Sequence, residues 1–201
     1  MNGRARLLPV ALAGLVTVAL ALSGCTSGDS LADQYRAGSG KGYIAGDGSV
    51  TEIPADERAE AVEFAGTLED GSSVSSADYA GDVLVVNFWY AACAPCRAEA
   101  PDLKKLSDQF ADQGASFLGV NVRDQAASAV AFNETYSITY PSVMDADGGM
   151  QLAFSGSIPP NAVPTTLVLD SSGRVAARIL GQVNSPSILK TLIEDTIAED
   201  G

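Results

Sequence analysis

The chain has 201 residues, 46% of them hydrophobic, and its 12 basic and 25 acidic side chains give a formal charge of −13. This length suits one domain with additional segments, and the acidic balance argues against electrostatic binding to nucleic-acid phosphates or anionic lipids. Histidine is absent, which excludes Ser–His and Cys–His catalysis and imidazole metal ligands. The three cysteines, Cys25, Cys93 and Cys96, leave a Cys-x-x-Cys zinc site two ligands short, so we expect no metal.

A targeting segment is predicted at the start of the chain. Two arginines precede an apolar run at residues 7–22, which is shorter than the about 20 residues of a membrane-spanning helix and fits a secretory signal peptide. The run ends in Leu-Ser-Gly-Cys at Cys25, which resembles the bacterial lipobox. That resemblance implies a signal peptide over residues 1–24, lipidation of Cys25 and an extracytoplasmic, lipid-anchored protein. The alternative is ordinary signal cleavage nearby, which leaves Cys25 as a free thiol.

A flexible, lipid-anchored tether is predicted over residues 25–55. This stretch is rich in Gly, Ser and Asp and has no sustained apolar period. About thirty residues of such coil have an r.m.s. span of about 30 Å, which lets a small domain reach partners along a membrane face. The alternative is that part of the stretch packs as an extra strand, for which Val50–Ile53 is the candidate.

Residues 56–201 are predicted to form one α/β domain. Apolar and turn patterns predict the order β-α-β-α-β-β-α after an N-terminal hairpin, with a short helical insertion. Pro95 suits a first helical turn, and Pro101 is expected to kink the same helix. The predicted elements are a strand at 61–68, a turn at 70–71, a helical turn at 75–81, a strand at 83–89, a helix at 95–112, a strand at 116–122, helices at 126–136 and 150–154, strands at 165–170 and 174–180, and a helix at 185–198.

The Cys-x-x-Cys pair, Cys93 and Cys96, follows the apolar run at 83–86 and begins a helical pattern. Two cysteines at i and i+3 at a helix N-terminus can close a small disulfide. The first of them lies against backbone N–H groups and the positive end of the helix dipole, which favour the nucleophilic thiolate over the thiol. The pair is therefore predicted to be a redox site.

Four segments together resemble the membrane-tethered, extracytoplasmic TlpA/ResA-type thiol-disulfide oxidoreductases across residues 57–200. They are Asp-Tyr-Ala-Gly at 78–81, Asn-Phe-Trp leading into Cys-Ala-Pro-Cys at 87–96, Glu99 with Pro101, and Ala-Val-Pro-Thr with the apolar stretch after it at 162–170. The resemblance implies a thioredoxin-like fold, in which a central mixed β-sheet is flanked by helices.

The resemblance also assigns roles around the dithiol. Cys93 would attack a substrate disulfide, and a shielded Cys96 would resolve the mixed disulfide, so that the two form the redox disulfide Cys93–Cys96. Glu99 would handle the proton, since Asn87 replaces the buried Asp of cytoplasmic thioredoxins and an amide cannot take that proton. The alternative for Glu99 is a first-turn acid that only favours the helix dipole.

A substrate-binding edge is implied as well. The peptide bond before Pro164 would be cis and would expose the backbone of Val163 for strand-like pairing with an extended substrate. The alternative is an ordinary trans loop proline. Trp89 would pack near the site or serve only as a core aromatic. Ala92 stands where many relatives have Trp, which is expected to loosen substrate choice.

The resemblance favours a reductase of extracytoplasmic protein disulfides, for example those of apocytochrome c, with a membrane electron donor of the CcdA/DsbD type. The alternatives are a disulfide-forming oxidase or isomerase, a peroxiredoxin-like peroxidase, and a lipoprotein whose Cys93–Cys96 bond is only structural. A four-residue ring constrains little chain entropy, which argues against the last. We expect a monomer with no cofactor beyond the dithiol and no nucleic-acid partner.

Overall fold

The computed structural model describes residues 49–159 and 161–200. The predicted signal peptide, the lipidation site Cys25 and most of the predicted tether lie outside these residues. The strands are β1 (Ser49–Glu52), β2 (Ala65–Thr67), β3 (Ser73–Ser75), β4 (Val83–Trp89), β5 (Ala115–Asn121), β6 (Ser142–Met144), β7 (Thr165–Leu169) and β8 (Val175–Leu180). The helices are α1 (Ala94–Phe110), α2 (Ala126–Tyr136), α3 (Gly149–Ala153) and α4 (Pro186–Asp200), with a 3₁₀ turn at Ser76–Tyr79.

The central sheet is mixed and has the strand order β1-β8-β7-β4-β5-β6. Strands β4, β5 and β6 run parallel, whereas β7 is antiparallel to β4, β8 to β7 and β1 to β8. Strands β2 and β3 form a separate antiparallel hairpin. The predicted class is therefore confirmed, with a mixed sheet, flanking helices and an N-terminal hairpin.

Strand β4 is central because both of its faces are apolar. All seven of its side chains are buried. Leu84, Val86 and Phe88 pack into the core on one side of the sheet, and Val83 and Val85 pack into the core on the other. Since successive side chains of a strand point to opposite faces, a near-continuous apolar run is what a strand covered on both sides requires.

Helix α1 presents its apolar stripe to the sheet. Pro95 lies in the first turn, where no backbone N–H is needed. Pro101 lies inside the helix, which continues to Phe110. The buried residues of the helix recur at helical spacing, and they are Cys96, Glu99, Ala100, Leu103, Leu106 and Phe110.

The N-terminal hairpin is shorter than predicted. The strand expected over 61–68 covers only Ala65–Thr67, because its partner β3 is itself three residues long. The turn lies where it was expected. The Oδ1 atom of Asp70 accepts the N–H of Ser72 at 2.8 Å, and Gly71 has a φ of +88°, which glycine adopts without steric cost.

The end of the predicted tether is a strand. Strand β1 pairs antiparallel with β8, and the N–H of Ile53 donates to the carbonyl oxygen of Ala176 at 2.8 Å. All four β1 side chains are exposed, so main-chain hydrogen bonds hold the strand and its sequence shows no buried face. The alternative of an extra strand at Val50–Ile53 describes this part of the chain, and the predicted tether boundary at residue 55 is wrong.

Strand β6 was not predicted. It has three residues and pairs parallel with β5 at the edge of the sheet. A strand this short shows no alternation of its own, so its position is set by β5 and not by its local sequence. The N-terminal hairpin also contacts β6 through an isolated β-bridge between Leu68 and Val143.

Candidate active site

The Cys93–Cys96 disulfide lies where β4 ends and α1 begins. Cys93 is the N-cap residue of α1, and its Sγ atom accepts the backbone N–H of Cys96 at 3.1 Å. The two Cα atoms are 5.3 Å apart. The first N–H groups of a helix have no partner within the helix, and the dipole is positive at this end. Negative charge on the Cys93 sulfur is therefore stabilised here.

Both cysteines are buried, with 0% of Cys93 and 3% of Cys96 exposed. The expectation that Cys96 is the shielded one of the pair is therefore incomplete, because the disulfide form shields both. Neighbouring side chains must move before a substrate sulfur reaches Cys93. The apolar cluster around the pair contains Trp89, Tyr90, Ala100, Ala129, Phe132 and Val163.

The turn that leads into Cys93 is held by a polar group that the sequence analysis missed. The Oδ2 atom of Asp124 accepts the N–H of Ala91 at 2.6 Å and the side-chain amide of Asn121 at 2.8 Å. Asn121 ends β5, the parallel neighbour of β4. Because the carboxyl ends of parallel strands meet at one edge of a sheet, the polar residues directly after β5 were the available signal.

Glu99 is a buried carboxyl group, only 1% exposed. Its Oε1 atom accepts the side-chain amide of Asn87 at 3.0 Å, and its Oε2 atom accepts the backbone N–H of Val183 at 2.8 Å. Burial raises the pKa of Glu99 to about 7, against the opposing effect of these two hydrogen bonds. A carboxyl in this position is more than an acid at a helix start, and it can exchange a proton near neutral pH.

Asn87 connects Glu99 with the surroundings of the disulfide. Its Nδ2 atom also donates to Thr166 Oγ1 at 3.1 Å, so the amide is fixed between α1 and β7. The same side chain lines a cavity of about 10 Å³ next to Cys96. Asn87, which stands where cytoplasmic thioredoxins have a buried Asp, therefore positions the Glu99 carboxyl.

Trp89 forms a wall of the buried cluster. Its ring centroid is 4.3 Å from that of Phe132, and its Nε1 donates to Ser142 Oγ at 3.3 Å. A Cβ atom at Gly119 would come within 2.8 Å of that Nε1 and 2.2 Å of that Oγ, so the packing requires glycine there. Trp89 is only 4% exposed, and it shares one cluster with both cysteines.

The Val163–Pro164 peptide bond is cis. Strand β7 begins immediately afterwards, and its Thr165 lies opposite Phe88 of β4. This register brings the bond to the end of the sheet that carries the disulfide. Val163 is buried and belongs to the cluster that contains Cys93.

Two further properties bear on the site. Within residues 49–159 and 161–200, no group of three or more Cys, Asp or Glu side chains is arranged to hold a metal ion. Over the same part of the chain, every helix is too short or too polar to cross a lipid bilayer.

The sequence model of the AhpC/TSA family matches residues 58–178, more than half of the chain. The chain belongs to this family. Thiol-disulfide oxidoreductase ResA of Geobacillus kaustophilus is 31% identical over 132 residues, which cover 66% of this chain and 74% of that protein. ResA of Bacillus subtilis is 28% identical over 123 residues, which cover 60% of this chain and 66% of that protein. This AhpC/TSA-family member is a thiol-disulfide oxidoreductase, as the TlpA/ResA resemblance predicted.

Solved structures confirm the thioredoxin-like fold of this AhpC/TSA-family member. A DsbF homologue from Corynebacterium diphtheriae is 35% identical with a TM-score of 0.66, over 75% of this chain and 94% of that one. A secreted thiol-disulfide isomerase from Corynebacterium glutamicum is 29% identical with a TM-score of 0.68, over 78% of this chain and 96% of that one. Both similarities cover nearly the whole of the solved chains.

Proposed function

We propose that this chain is an extracytoplasmic, lipid-anchored reductase of protein disulfides. The observation that carries the proposal is the combination of a disulfide at a helix start with a buried carboxyl whose pKa lies at about 7. The helix start favours the attacking thiolate, and the carboxyl provides a proton acceptor where the chain has no histidine.

Reduction of a substrate proceeds in two exchanges. The Cys93 thiolate attacks one substrate sulfur, forms a mixed disulfide and displaces the other substrate sulfur as a thiolate. Cys96 then loses its proton and attacks Cys93 Sγ, which closes the Cys93–Cys96 bond and releases the second substrate thiolate. Two electrons pass from the dithiol to the substrate, whose two thiolates take up protons.

Glu99 is assigned to the proton of Cys96. With a pKa of about 7, its carboxyl is present in both protonation states at neutral pH, which suits a group that accepts and returns a proton. The arrangement of Asn87 supports the assignment, because this one side chain bonds Glu99 and lines the cavity beside Cys96.

Substrate is assigned to the edge formed by Val163, Pro164 and Trp89. Val163 and Trp89 pack in the same cluster as Cys93, which supports their place beside a segment bound at the sulfur. An extended segment can pair with the backbone of Val163 as an added strand, which binds the substrate chain without reading its side chains. Apocytochrome c is one substrate of this kind.

The start of the chain and one relative support the proposed location, and the proposed partners complete the redox cycle. The Leu-Ser-Gly-Cys sequence at Cys25 supports lipidation, residues 1–24 are the signal peptide, and the Corynebacterium glutamicum relative is secreted. The reduced state is restored by a membrane donor of the CcdA/DsbD type, and the protein acts as a monomer. Cys25→Ala is expected to move the protein from the membrane fraction to the soluble fraction.

Trapping variants test the roles of the two sulfurs. Cys96→Ser is expected to accumulate mixed disulfides with substrate, because the attacking sulfur remains and the resolving one is lost. Cys93→Ser is the matched control and is expected to trap nothing and turn over nothing. Capture of substrate by Cys93→Ser would reverse the roles of the two sulfurs. Turnover by the same variant would show that Cys93 is not the attacking sulfur.

The redox potential tests the direction of electron flow. A potential near thioredoxin's about −270 mV supports a reductase, and one near the about −120 mV of a strong oxidant supports a disulfide-forming enzyme. The second candidate, an oxidase or isomerase, is favoured by the similarity to a structure described as a thiol-disulfide isomerase. The potential of the oxidised and reduced pair in a glutathione or dithiothreitol buffer decides between the two.

A further inference from the structure

The strand pairing places the start of β1 at the same end of the sheet as the disulfide, and we call this end the dithiol end. Ser49 lies opposite Leu180 of β8, and Leu180 in turn lies opposite Thr165 of β7. Thr165 lies opposite Phe88, one residue before the end of β4. Three strand spacings separate the outer residues of this row, so Ser49 lies about 14 Å from Phe88.

The chain before Ser49 joins the domain at the dithiol end. Strand β8 runs toward this end, and β1 is antiparallel to β8, so β1 starts at the dithiol end and runs away from it. Ile53, directly after β1, bonds Ala176 near the start of β8. The predicted tether is therefore attached beside the reactive sulfurs and not behind them.

The last helix finishes at the opposite end of the domain. Helix α4 follows β8 and runs for 15 residues from Pro186, a length of about 22 Å. Glu199 in its last turn pairs with Arg58, and Arg58 also pairs with Asp170. Asp170 follows β7 at the end of the sheet away from the disulfide. A tether attached after α4 would therefore lie far from the reactive sulfurs.

The length of the tether makes its point of attachment matter. There are 24 positions between the predicted lipidation site Cys25 and Ser49, and a Gly-rich coil of that length has an r.m.s. span of about 28 Å. This span is close to the size of the domain itself, since β4 alone extends for about 20 Å. A group beside the attachment point is thus held at a higher effective concentration near the anchor than a group on the far side.

The surfaces at the two ends differ as well. Beside the attacking sulfur the surface includes the small, uncharged and exposed side chains of Ala92 and Ala94. At the far end, Asp56, Glu57 and Glu60 are exposed and follow β1. An anionic lipid surface repels such acids within a screening length of about 8 Å. The far end is therefore unfavourable to turn toward a membrane.

We propose that the dithiol end docks, at the lipid surface, onto the reactive dithiol of a membrane-embedded protein, and that attachment of the tether at this end speeds the exchange. The inference rests on the proposed function and adds the docking surface for its electron donor. Because the anchor and the reactive sulfurs share one end of the domain, the partner's dithiol is expected close to the bilayer and not far above it.

The exchange regenerates the reduced pair. A thiolate of the partner attacks Cys93 Sγ, forms a mixed disulfide and displaces the Cys96 thiolate, which takes up a proton. The partner's second thiol then loses its proton and attacks the partner sulfur of the mixed disulfide, which releases the Cys93 thiolate. Two electrons pass to the Cys93–Cys96 pair from the partner dithiol, which becomes a disulfide.

Two reductants of the same chemistry test the proposal. Dihydrolipoyl phosphatidylethanolamine holds a dithiol at the surface of phosphatidylcholine and phosphatidylglycerol vesicles, and dihydrolipoamide carries the same dithiol in solution. Thiol alkylation follows the reduction of the Cys93–Cys96 disulfide in vesicle-bound protein. The readout is the rate with the lipid-linked dithiol divided by the rate with the soluble one. This ratio reports access from the membrane, because the intrinsic reactivity of the disulfide cancels.

A matched pair of chains places the anchor at either end of the domain. Both start at residue 25 with Cys25→Ala and carry a second copy of residues 26–48 after Gly201. A hexahistidine tag precedes residue 25 in one chain and follows the second copy in the other. The natural chain has no histidine, so the tag alone supplies imidazole to nickel-chelating lipid. The rate ratio is expected to be about threefold higher with the tag ahead of residue 25, from the effective concentration allowed by a coil of this span.

The tether length gives a second measurement on the full-length, lipidated chain. A second copy of residues 26–48 inserted after Gly48 doubles the tether and leaves every described residue in place. The rate ratio is expected to fall about threefold, because effective concentration falls roughly as the −3/2 power of linker length. The rate with soluble dihydrolipoamide is expected to stay the same.

The outcomes separate the docking surface from the proposed function. Equal ratios for the two tag positions, or a higher ratio with the tag after α4, would overturn the docking end and leave the proposed function standing. An unchanged ratio in the chain with the doubled tether would overturn the effect of the tether on the exchange. A pair that dihydrolipoamide reduces, but that then reduces no disulfide of insulin, would overturn the proposed function and the docking proposal with it.

Discussion

Two buried carboxyl groups, Asp170 at the end of a sheet strand and Glu99 on helix α1, have opposite surroundings. Asp170, which follows β7, is 1% exposed, and its Oδ2 atom lies 3.0 Å from Arg58 Nη1 and 2.9 Å from Arg174 Nη2. Glu99, equally buried, accepts its hydrogen bonds from uncharged amide donors. Asp170 is neutralised by two cations, whereas Glu99 is held only by the dipoles of uncharged amide groups.

The pKa values follow from this difference. Burial by itself raises the pKa of Asp170, but hydrogen bonds from Ser172, Arg174 and Arg58 and the charge of Arg174 outweigh it and hold the pKa below the ordinary value of 3.8. At Glu99 burial dominates and raises the pKa from 4.5 to about 7. The first carboxyl stays charged and fastens the fold, whereas the second gains and loses a proton at neutral pH.

The two groups give folding stability opposite pH dependences. The contribution of Asp170 is present above its unfolded pKa and is lost as the pH falls through its lowered folded value. At Glu99 the folded protein binds more protons than the unfolded chain between about pH 4.5 and about pH 7. Stability therefore falls as the pH rises through that window.

The largest effect is expected at the paired carboxyl. Asp170→Ala leaves the guanidinium of Arg58, whose side chain is 4% exposed, without its buried partner, and breaking a buried pair in this way costs about 3–5 kcal/mol. Urea unfolding at pH 7 measures the loss. Glu194→Ala, which breaks the exposed pair with Lys190, is the matched control with an expected loss below about 1 kcal/mol. Equal losses of stability in the Asp170 and Glu194 variants would show that the buried pair contributes no more than an exposed one.

The next effect is a change of pH dependence at the unpaired carboxyl. Glu99→Gln removes the ionisation that burial opposes, so the stability of the variant relative to the natural protein is expected to rise by about 3 kcal/mol between pH 5 and pH 8. Thermal or urea unfolding across this range measures it. Parallel stability curves for the two proteins would show that Glu99 does not titrate near 7. The reduction rate of the variant is also expected to lose its inflection near pH 7.

A smaller effect is expected from the packing around Trp89, which lies in the same cluster as the two cysteines. Gly119→Ala places a Cβ atom 2.2 Å from Ser142 Oγ and 2.8 Å from Trp89 Nε1, and overpacking of this kind costs about 1–3 kcal/mol. Trp89 fluorescence and urea unfolding report the change. Gly156→Ala meets no atom within 4 Å and is the control, with an expected change within about 0.5 kcal/mol. An undisturbed Trp89 signal in the Gly119 variant would contradict the close packing.

The smallest effect is expected from changes at Asn87, which test its role beside Glu99. Asn87→Asp places a second carboxyl beside Glu99, and two adjacent carboxyls titrate as a pair with one pKa raised. The pH inflection of the reduction rate is expected to move up by about one unit. Asn87→Ala removes the hydrogen bond to Glu99 without adding a charge. It therefore separates the effect of the lost hydrogen bond from the effect of the added carboxyl. An inflection that stays in place in both variants would mean that Glu99 is not the group that limits the rate.

The sequence was sufficient for features that depend on local pattern. The apolar run of β4, the spacing of the buried face of α1 and the cysteine pair at its start are all properties of a few adjacent residues, and each was predicted where it lies. The family resemblance added the fold and the place of Glu99, because relatives have the same spacing.

Features that depend on distant partners were not predictable. Val183 donates to Glu99 across 84 positions of the chain, and Asp124 reaches Ala91 across 33. No periodicity marks a residue whose role is one main-chain hydrogen bond. Strand β1 was foreseen only as an alternative for the same reason, since its exposed side chains leave only backbone pairing to place it.

Strand β1 also determines how far the chain can be truncated at its N-terminus before the protein self-associates. It covers the edge of β8, whose Val175, Ala176, Ala177 and Ile179 side chains are buried. A version that starts at residue 57 would present that bare apolar strand edge to other copies, and open edges of this kind recruit further strands. A soluble fragment meant for crystals or for solution assays should therefore begin ahead of Ser49, or self-association will replace the intramolecular pairing.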